Sequence, residues 1–180
     1  MNPTFGPCTV GIDNGSTGSI GVIRQSDSFF QPVPTQDYLH YGKRGSIGKR
    51  LDRDALRCFL EGTLGYRTPF WPGFDGVKVY VERPFSGKFI NAVVPAHRFF
   101  EATIITLEDF GDGHGLGYEV LDSGAWQKSV LGNVKGSPEL KKASLLRGLQ
   151  IYPQHREAIL RQGDADGLLI AHYFHHLQFS

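Results

Sequence analysis

Apolar and polar positions set out an ordered series of elements along this chain. Residues 8–13 (CTVGID) form a short apolar run, and residues 20–24 (IGVIR) form another. The tight Asn/Gly/Ser/Thr stretch between them, NGSTGS, predicts a β-hairpin. A third strand is expected around residues 33–39, pushed towards a sheet edge by Pro32 and Pro34. Residues 41–50 (YGKRGSIGKR) read as a basic, glycine-rich loop. Asp52 then suits a helix N-cap, with Ala55, Leu56, Phe59 and Leu60 on one helical face. Pro69, Pro72 and several aromatics mark residues 65–76 as a loop. The strongest strand pattern is VKVYVE at residues 77–82, alternating and β-branched. After a loop over 83–89, residues 91–107 predict a long helix. Its apolar Val94, Phe99, Ala102 and Ile105 fall at mixed spacing, which suggests burial on more than one side.

A short strand is expected at 118–121, followed by a helix through Trp126 and Val130 capped by Asp122 or Ser123. Ser137 followed by Pro138 predicts the start of another helix. A last helix is expected from about Asp164, carrying Leu168, Leu169, Ala171 and Tyr173. Hairpin, strand, helix, strand, helix, strand, helices is the order of an α/β fold with a mixed central β-sheet flanked by α-helices. With 180 residues, one domain over 1–180 is expected.

Composition narrows this little. The formal net charge is +1, so any contact with nucleic acid must come from local clusters of Lys and Arg. Cys8 and Cys58 are the only cysteines and make no CxxC, which argues against a disulfide framework or a zinc ribbon. Neither a signal peptide nor a membrane span is expected, which makes the cytoplasm the default location.

Four acids stand at the edges of apolar elements. Asp13 ends the first strand, Glu82 ends the strongest one, and Asp164 and Asp166 open the last helix. A carboxylate at the end of a buried strand is costly unless its charge is balanced. For several converging carboxylates a divalent cation is the natural balance, and an all-oxygen donor set favours Mg²⁺ or Mn²⁺. Singly, each acid also has an ordinary reading: a turn residue for Asp13, an ion-pair partner for Glu82, and a helix cap or first-turn acid for Asp164 and Asp166.

Four stretches in order resemble the RuvC-like resolvases of the RNase H-like superfamily, and more closely their short bacteriophage versions. They are GIDNGSTGSIGVI, VYVERPF, GAWQKSVLGNVKGSPELKKASL and GDADGLLIAHY. The resemblance implies an RNase H-like fold and a metal-dependent endonuclease that cuts branched DNA, foremost four-way Holliday junctions. It implies catalytic, metal-binding roles for Asp13, Glu82 and Asp166, with two Mg²⁺ or Mn²⁺ ions per site and no protein nucleophile. It also implies 5′-phosphate products, a homodimer and a place in bacterial or phage-infected cytoplasm. The family sets Asp or His three residues before its last acid. Here Gly163 holds that place, and Asp164 is the acid at hand. Two residues apart on a regular helix, Asp164 and Asp166 would diverge. Asp164 is therefore either a ligand that precedes the helix or a helix cap.

Phe85 matches the family's aromatic that stacks on bases at the branch point. Lys128, Lys135, Lys141 and Lys142 are candidate phosphate contacts, as are Lys43 and Arg44 in the glycine-rich loop. Trp126 reads as core. His172, His175 and His176 read as a solvated last turn, favoured as cations by the helix dipole, rather than as a zinc site. Two other functions fit parts of the chain. One is a DNA-binding module of the same fold without catalysis. The other is an actin-like or sugar-kinase-like protein, whose phosphate loop also reads Asp-x-Gly-Ser-Thr-Gly but which needs a second such domain.

Overall fold

The computed structural model describes residues 7–25, 27–39, 45, 47–64, 76–84, 90–110 and 116–179. Among them, β1 (Cys8–Ile12), β2 (Ser19–Arg24) and β3 (Asp27–Pro32) form an antiparallel meander. The ribbon β4 (Thr35–Leu39) and β5 (Ile47–Leu51) follows, then α1 (Arg53–Leu64), β6 (Val77–Glu82), α2 (Ile90–Glu108) and β7 (Tyr118–Leu121). The helices α3 (Ser123–Leu131), α4 (Ser137–Ile151), α5 (Arg156–Gln162) and α6 (Asp166–Phe179) complete the chain, with a 3₁₀ turn at Pro153–His155. The main sheet has the order β3-β2-β1-β6-β7, with β6 parallel to both β1 and β7. This mixed sheet between helices is the expected α/β arrangement.

Strand alternation divides the core in two. On one face Val10, Ile12, Ile20, Val22, Val79 and Val81 pack against Leu56, Leu60 and Leu64 of α1 and Phe99 and Leu107 of α2. On the other, Ile23 and Tyr80 meet Trp126 of α3, Ile159 of α5 and Leu168, Leu169 and Ile170 of α6. The second face carries glycines where α6 crosses. A Cβ on Gly11 would strike the Gly167 carbonyl and the Ala171 amide, one on Gly21 the Leu168 backbone, and one on Gly167 the Ser19 carbonyl. Missing side chains on both partners thus let the helix backbone lie directly on the strands. The seam is pinned where the Gly167 N–H donates to Ser19 Oγ at 3.0 Å.

Several expectations are corrected. The third strand of the main sheet is β3, not residues 33–39; β4 leaves that sheet and pairs with β5. Part of the expected basic loop, Ile47–Leu51, is therefore a strand. Its hydrogen bonds to β4 override a sequence of weak strand propensity. In α2, Val94 and Ile105 are 40% and 39% exposed, so this helix is buried along one side only. Gly136, not Ser137, holds the N-cap position of α4, and Pro138 lies in its first turn. The capping role of Asp52 is present: its Oδ1 accepts from the Ala55 N–H at 3.0 Å.

Candidate metal centre

The acids converge at one end of the sheet. Asp13 follows directly on β1, held where its N–H donates to the Ser19 carbonyl at 3.0 Å. Glu82 is the last residue of the neighbouring parallel strand β6. Parallel pairing puts both strand ends at the same edge, the usual place for a site in such sheets. The glycine seam brings the start of α6 to that edge as well.

Asp13, Asp164 and Asp166 each offer a carboxylate oxygen within 4.8 Å of the others. Helix α6 begins at Asp166, so Asp164 lies before it and escapes the divergence of a regular helix. It is also buried, at 2% exposure. Gly163 ends α5 in the left-handed region at φ 88°, turning the chain so that Asp164 enters the cluster. The next residue is fixed from α4, since the Ala165 N–H donates to Ser144 Oγ at 3.0 Å.

Burial and mutual repulsion govern the electrostatics. Burial first, then the charges of Asp166, Glu82 and Asp164, hold the Asp13 carboxyl well above the usual carboxylate range, against a lowering by Lys141. Burial pushes Glu82 up to about 7, opposed by a hydrogen bond from Trp126 and helped by the charge of Asp166. Asp166 rises to about 6, again chiefly by burial, with the Ser144 hydroxyl pulling the other way. Burial also raises Asp164, while Lys141 is the main group favouring its ionised form. Lys141 Nζ lies 3.7 Å from Asp164 Oδ2.

A divalent cation fits this donor set. Asp164 Oδ1 and Asp166 Oδ1 are buried and accept no hydrogen bond. Buried polar atoms are rarely left so. All-oxygen ligands at this spacing suit Mg²⁺ or Mn²⁺.

The remaining predicted residues are dispersed. Lys128 in the last turn of α3, Lys135 in the α3–α4 connection and Lys142 on α4 are exposed. Lys141, from the same basic stretch, instead reaches the acid cluster. Phe85, Lys43 and Arg44 lie outside the described residues. Two partners were not foreseen. Trp126 is fully buried, as expected of core, but its Nε1–H also donates to Glu82 Oε2 at 2.9 Å. Ser144 holds Ala165, between Asp164 and Asp166. A buried Trp N–H needs an acceptor, which is the one sequence signal that pointed to Trp126. His172 also differs from expectation. His172 is held down to about 4, chiefly by burial and then by His176, Arg147 and His175, so it is neutral rather than cationic at neutral pH. Its Nδ1 lies 2.9 Å from the Tyr152 hydroxyl.

In structure the chain is similar to T. thermophilus RuvC in complex with a Holliday junction substrate. The TM-score is 0.50 at 16% sequence identity, covering 95% of this chain and 96% of that one. The Thermus thermophilus RuvC structure is matched at a TM-score of 0.47 and 16% identity, with 95% and 96% covered. The chain has an RNase H-like fold. No protein-family profile matches the sequence, and no curated protein matches it. No helix among the described residues is long and apolar enough to cross a membrane.

Proposed function

We propose that this chain is a metal-dependent, structure-specific endodeoxyribonuclease that cuts phosphodiester bonds in branched DNA, with Holliday junctions as its main substrate. The observation that carries the proposal is the convergence of Asp13, Asp164 and Asp166 on one buried point, two of their oxygens unpartnered, in a fold shared with a junction-bound RuvC.

Asp13, Asp164, Asp166 and Glu82 would hold two divalent ions. When bound, such ions supply an activated water and neutralise charge on the leaving oxygen. Asp13 would contribute from the end of β1 and Asp166 from the start of α6, across the glycine seam. Trp126 donates to Oε2 of Glu82, whose carboxylate stands outside the three that come within 4.8 Å of one another. Lys141 holds the charge of Asp164 in the metal-free protein. The chain itself forms no covalent intermediate. Hydrolysis would break the P–O3′ bond, placing the hydroxyl of water on phosphorus and its proton on the leaving oxygen, to give a 5′-phosphate and a 3′-hydroxyl.

The whole chain acts as one domain and pairs as a homodimer, because matched nicks across a four-way junction need two sites related by a two-fold axis. Exposed Val94 and Ile105, about three helical turns apart on one side of α2, support that helix as the interface. Phe85 is assigned to the branch point, and Lys128, Lys135, Lys142, Lys43 and Arg44 to phosphates. Such an enzyme works in the cytoplasm of a bacterial or phage-infected cell; the resemblance to the short bacteriophage versions of the family favours phage origin.

The test is incubation of labelled four-way, flap and linear DNA with Mg²⁺, Mn²⁺ or chelator. Metal-dependent cutting confined to branched DNA is expected. Tight junction binding without cutting under any metal would replace this reading with a non-catalytic binding module.

A further inference from the structure

A second charged feature lies on the opposite side of the sheet from α6. Between the β4–β5 ribbon and helices α1 and α2 is a cavity of about 860 Å³. That is at the upper end of the roughly 300–1,000 Å³ common for ligand sites. Its walls carry five cations, Lys49, Arg50, Arg53, Arg57 and Arg98, against two acids, Asp54 and Asp109. A local excess of three positive charges is large for a chain whose total is +1. Not all of these cations are free to act. Arg53 pairs with Asp109 at 2.7 Å, and Arg57 donates to the Asp109 carbonyl and lies near Glu61. Lys49 lies 3.7 Å from Asp37. Among the described residues, Arg50 makes a 3.4 Å bond to neutral Gln36.

The floor is apolar, formed by Leu51, Phe99 and Ala102, and Tyr38 stands in the wall. Tyr38 pairs across the ribbon with Gly48, and a Cβ at Gly48 would meet the Tyr38 ring. The glycine therefore lets the ring lie flat over β5. Such a mixture of cations, an aromatic and an apolar floor is more than duplex DNA requires. A duplex presents phosphates outward and keeps its base faces stacked inside. An unpaired strand offers both phosphates and apolar base faces.

Placement joins this cavity to the acid cluster. The ribbon leaves the sheet where the Val33 N–H donates to the Gly18 carbonyl, in the turn that follows Asp13. From the other wall, Thr103 of α2 donates to Asn14 Oδ1 at 3.0 Å, one residue beyond Asp13. Both walls are thus anchored to the turn that carries the first acid.

We infer that the cavity between the ribbon and α2 binds an unpaired nucleic-acid strand, its phosphates against Arg50 and a base on Tyr38. The inference extends the nuclease reading by naming where a single-stranded arm of the substrate runs. The occupant is a single strand continuous with the DNA at the acids.

The experiment measures binding without cutting. The whole protein, in chelator, is titrated against a fluorescent oligothymidylate and against a hairpin duplex of equal charge, over a range of salt. Tyr38→Ala should weaken oligothymidylate binding about tenfold, which corresponds to about 1.4 kcal/mol of the ~1–3 kcal/mol expected of one stacked base. Tyr38→Phe should restore it. Arg50→Ala, on the exposed ribbon and harmless to folding, should flatten the log–log salt dependence by about 0.7. The duplex should lose much less in each variant. Unchanged oligothymidylate affinity in both Tyr38→Ala and Arg50→Ala overturns the inference, as do equal losses on duplex and single strand. Selective loss in a protein that cuts no branched DNA would keep this site and discard the nuclease.

Discussion

At the residue scale, the site consists of carboxylates held against their own preference. Asp13→Asn, Glu82→Gln or Asp166→Asn should each abolish metal-dependent cutting of a four-way junction while leaving junction binding intact. Asp164→Asn should lower cutting by at least tenfold. Full activity of Asp164→Asn across a Mg²⁺ titration would reduce that residue to a cap, since Asn caps about as well as Asp. The raised acids also set a pH dependence. A carboxyl whose folded value is raised contributes stability below its unfolded value, and that stability is lost as pH rises through the folded value. For Glu82 the window runs from about 4.5 to about 7. Metal-free Glu82→Gln protein should therefore outlast wild type at pH 8 by on the order of 2–3 kcal/mol, or roughly 5–10 °C in Tm, with the gap closing towards pH 4.5. Comparing the two proteins cancels His172, whose lowered value works in the opposite sense. Thermal melts in chelator at several pH values would check this; a gap constant with pH would remove the charge from the explanation. Asp13, Glu82 and Asp166 stood out as candidates in the sequence because acids at the edges of apolar elements need a reason and because the motifs that hold them resemble those of RuvC-like resolvases. Which reading of Asp164 holds depends on where α6 starts, and a two-residue uncertainty in that start reverses the answer. The Trp126–Glu82 bond was hidden because its partners lie 44 residues apart.

Among elements, β1 and β2 declared themselves as apolar runs around a tight turn, β6 by alternation, α1 by helical spacing and α2 by its long apolar stretch. β3 did not, because adjacent Phe29 and Phe30 break the two-residue period. The β4–β5 ribbon hid for another reason: most of its residues are exposed or half-buried on both faces, so no apolar stripe marks it. Nor did the sequence reveal what its glycines do. Gly11, Gly21 and Gly167 set how closely α6 lies on the sheet. Gly21→Ala or Gly167→Ala should cost about 1–3 kcal/mol through overpacking. Each should also lift Asp166 away from Asp13. A variant that still folds should therefore lose the rise in Tm that Mn²⁺ gives wild type. An unchanged Mn²⁺ response would mean the site does not depend on the seam.

For the whole molecule, distribution of charge matters more than its total. Lys128 and Lys135 flank Gly132 on the side of the molecule built by α3 and α4, and if they neutralise phosphates, each Lys→Ala change should reduce the log–log salt slope of junction binding by about one. Folding should survive, since exposed substitutions usually shift stability by only about half a kcal/mol. Wild-type slopes in both variants would route the duplex elsewhere. Assembly has its own test. Ile105→Asp places a charge at the proposed α2 interface, so sedimentation should show a monomer, and paired nicks across a junction should become single nicks. A dimer unaffected by this change would move the interface off α2.

The seam between α6 and the hairpin has a consequence in time as well as in space. Ser19 and Gly167, which pin it, are 148 residues apart in the chain. During translation Asp13 and Glu82 leave the ribosome first, and Asp164 and Asp166 follow after roughly ten seconds at ~5–20 residues per second. Until then no growing chain owns a complete ligand set. Under the proposed nuclease reading the growing chain would be inert until α6 is made, and prematurely terminated products that lack α6 would stay inert as well.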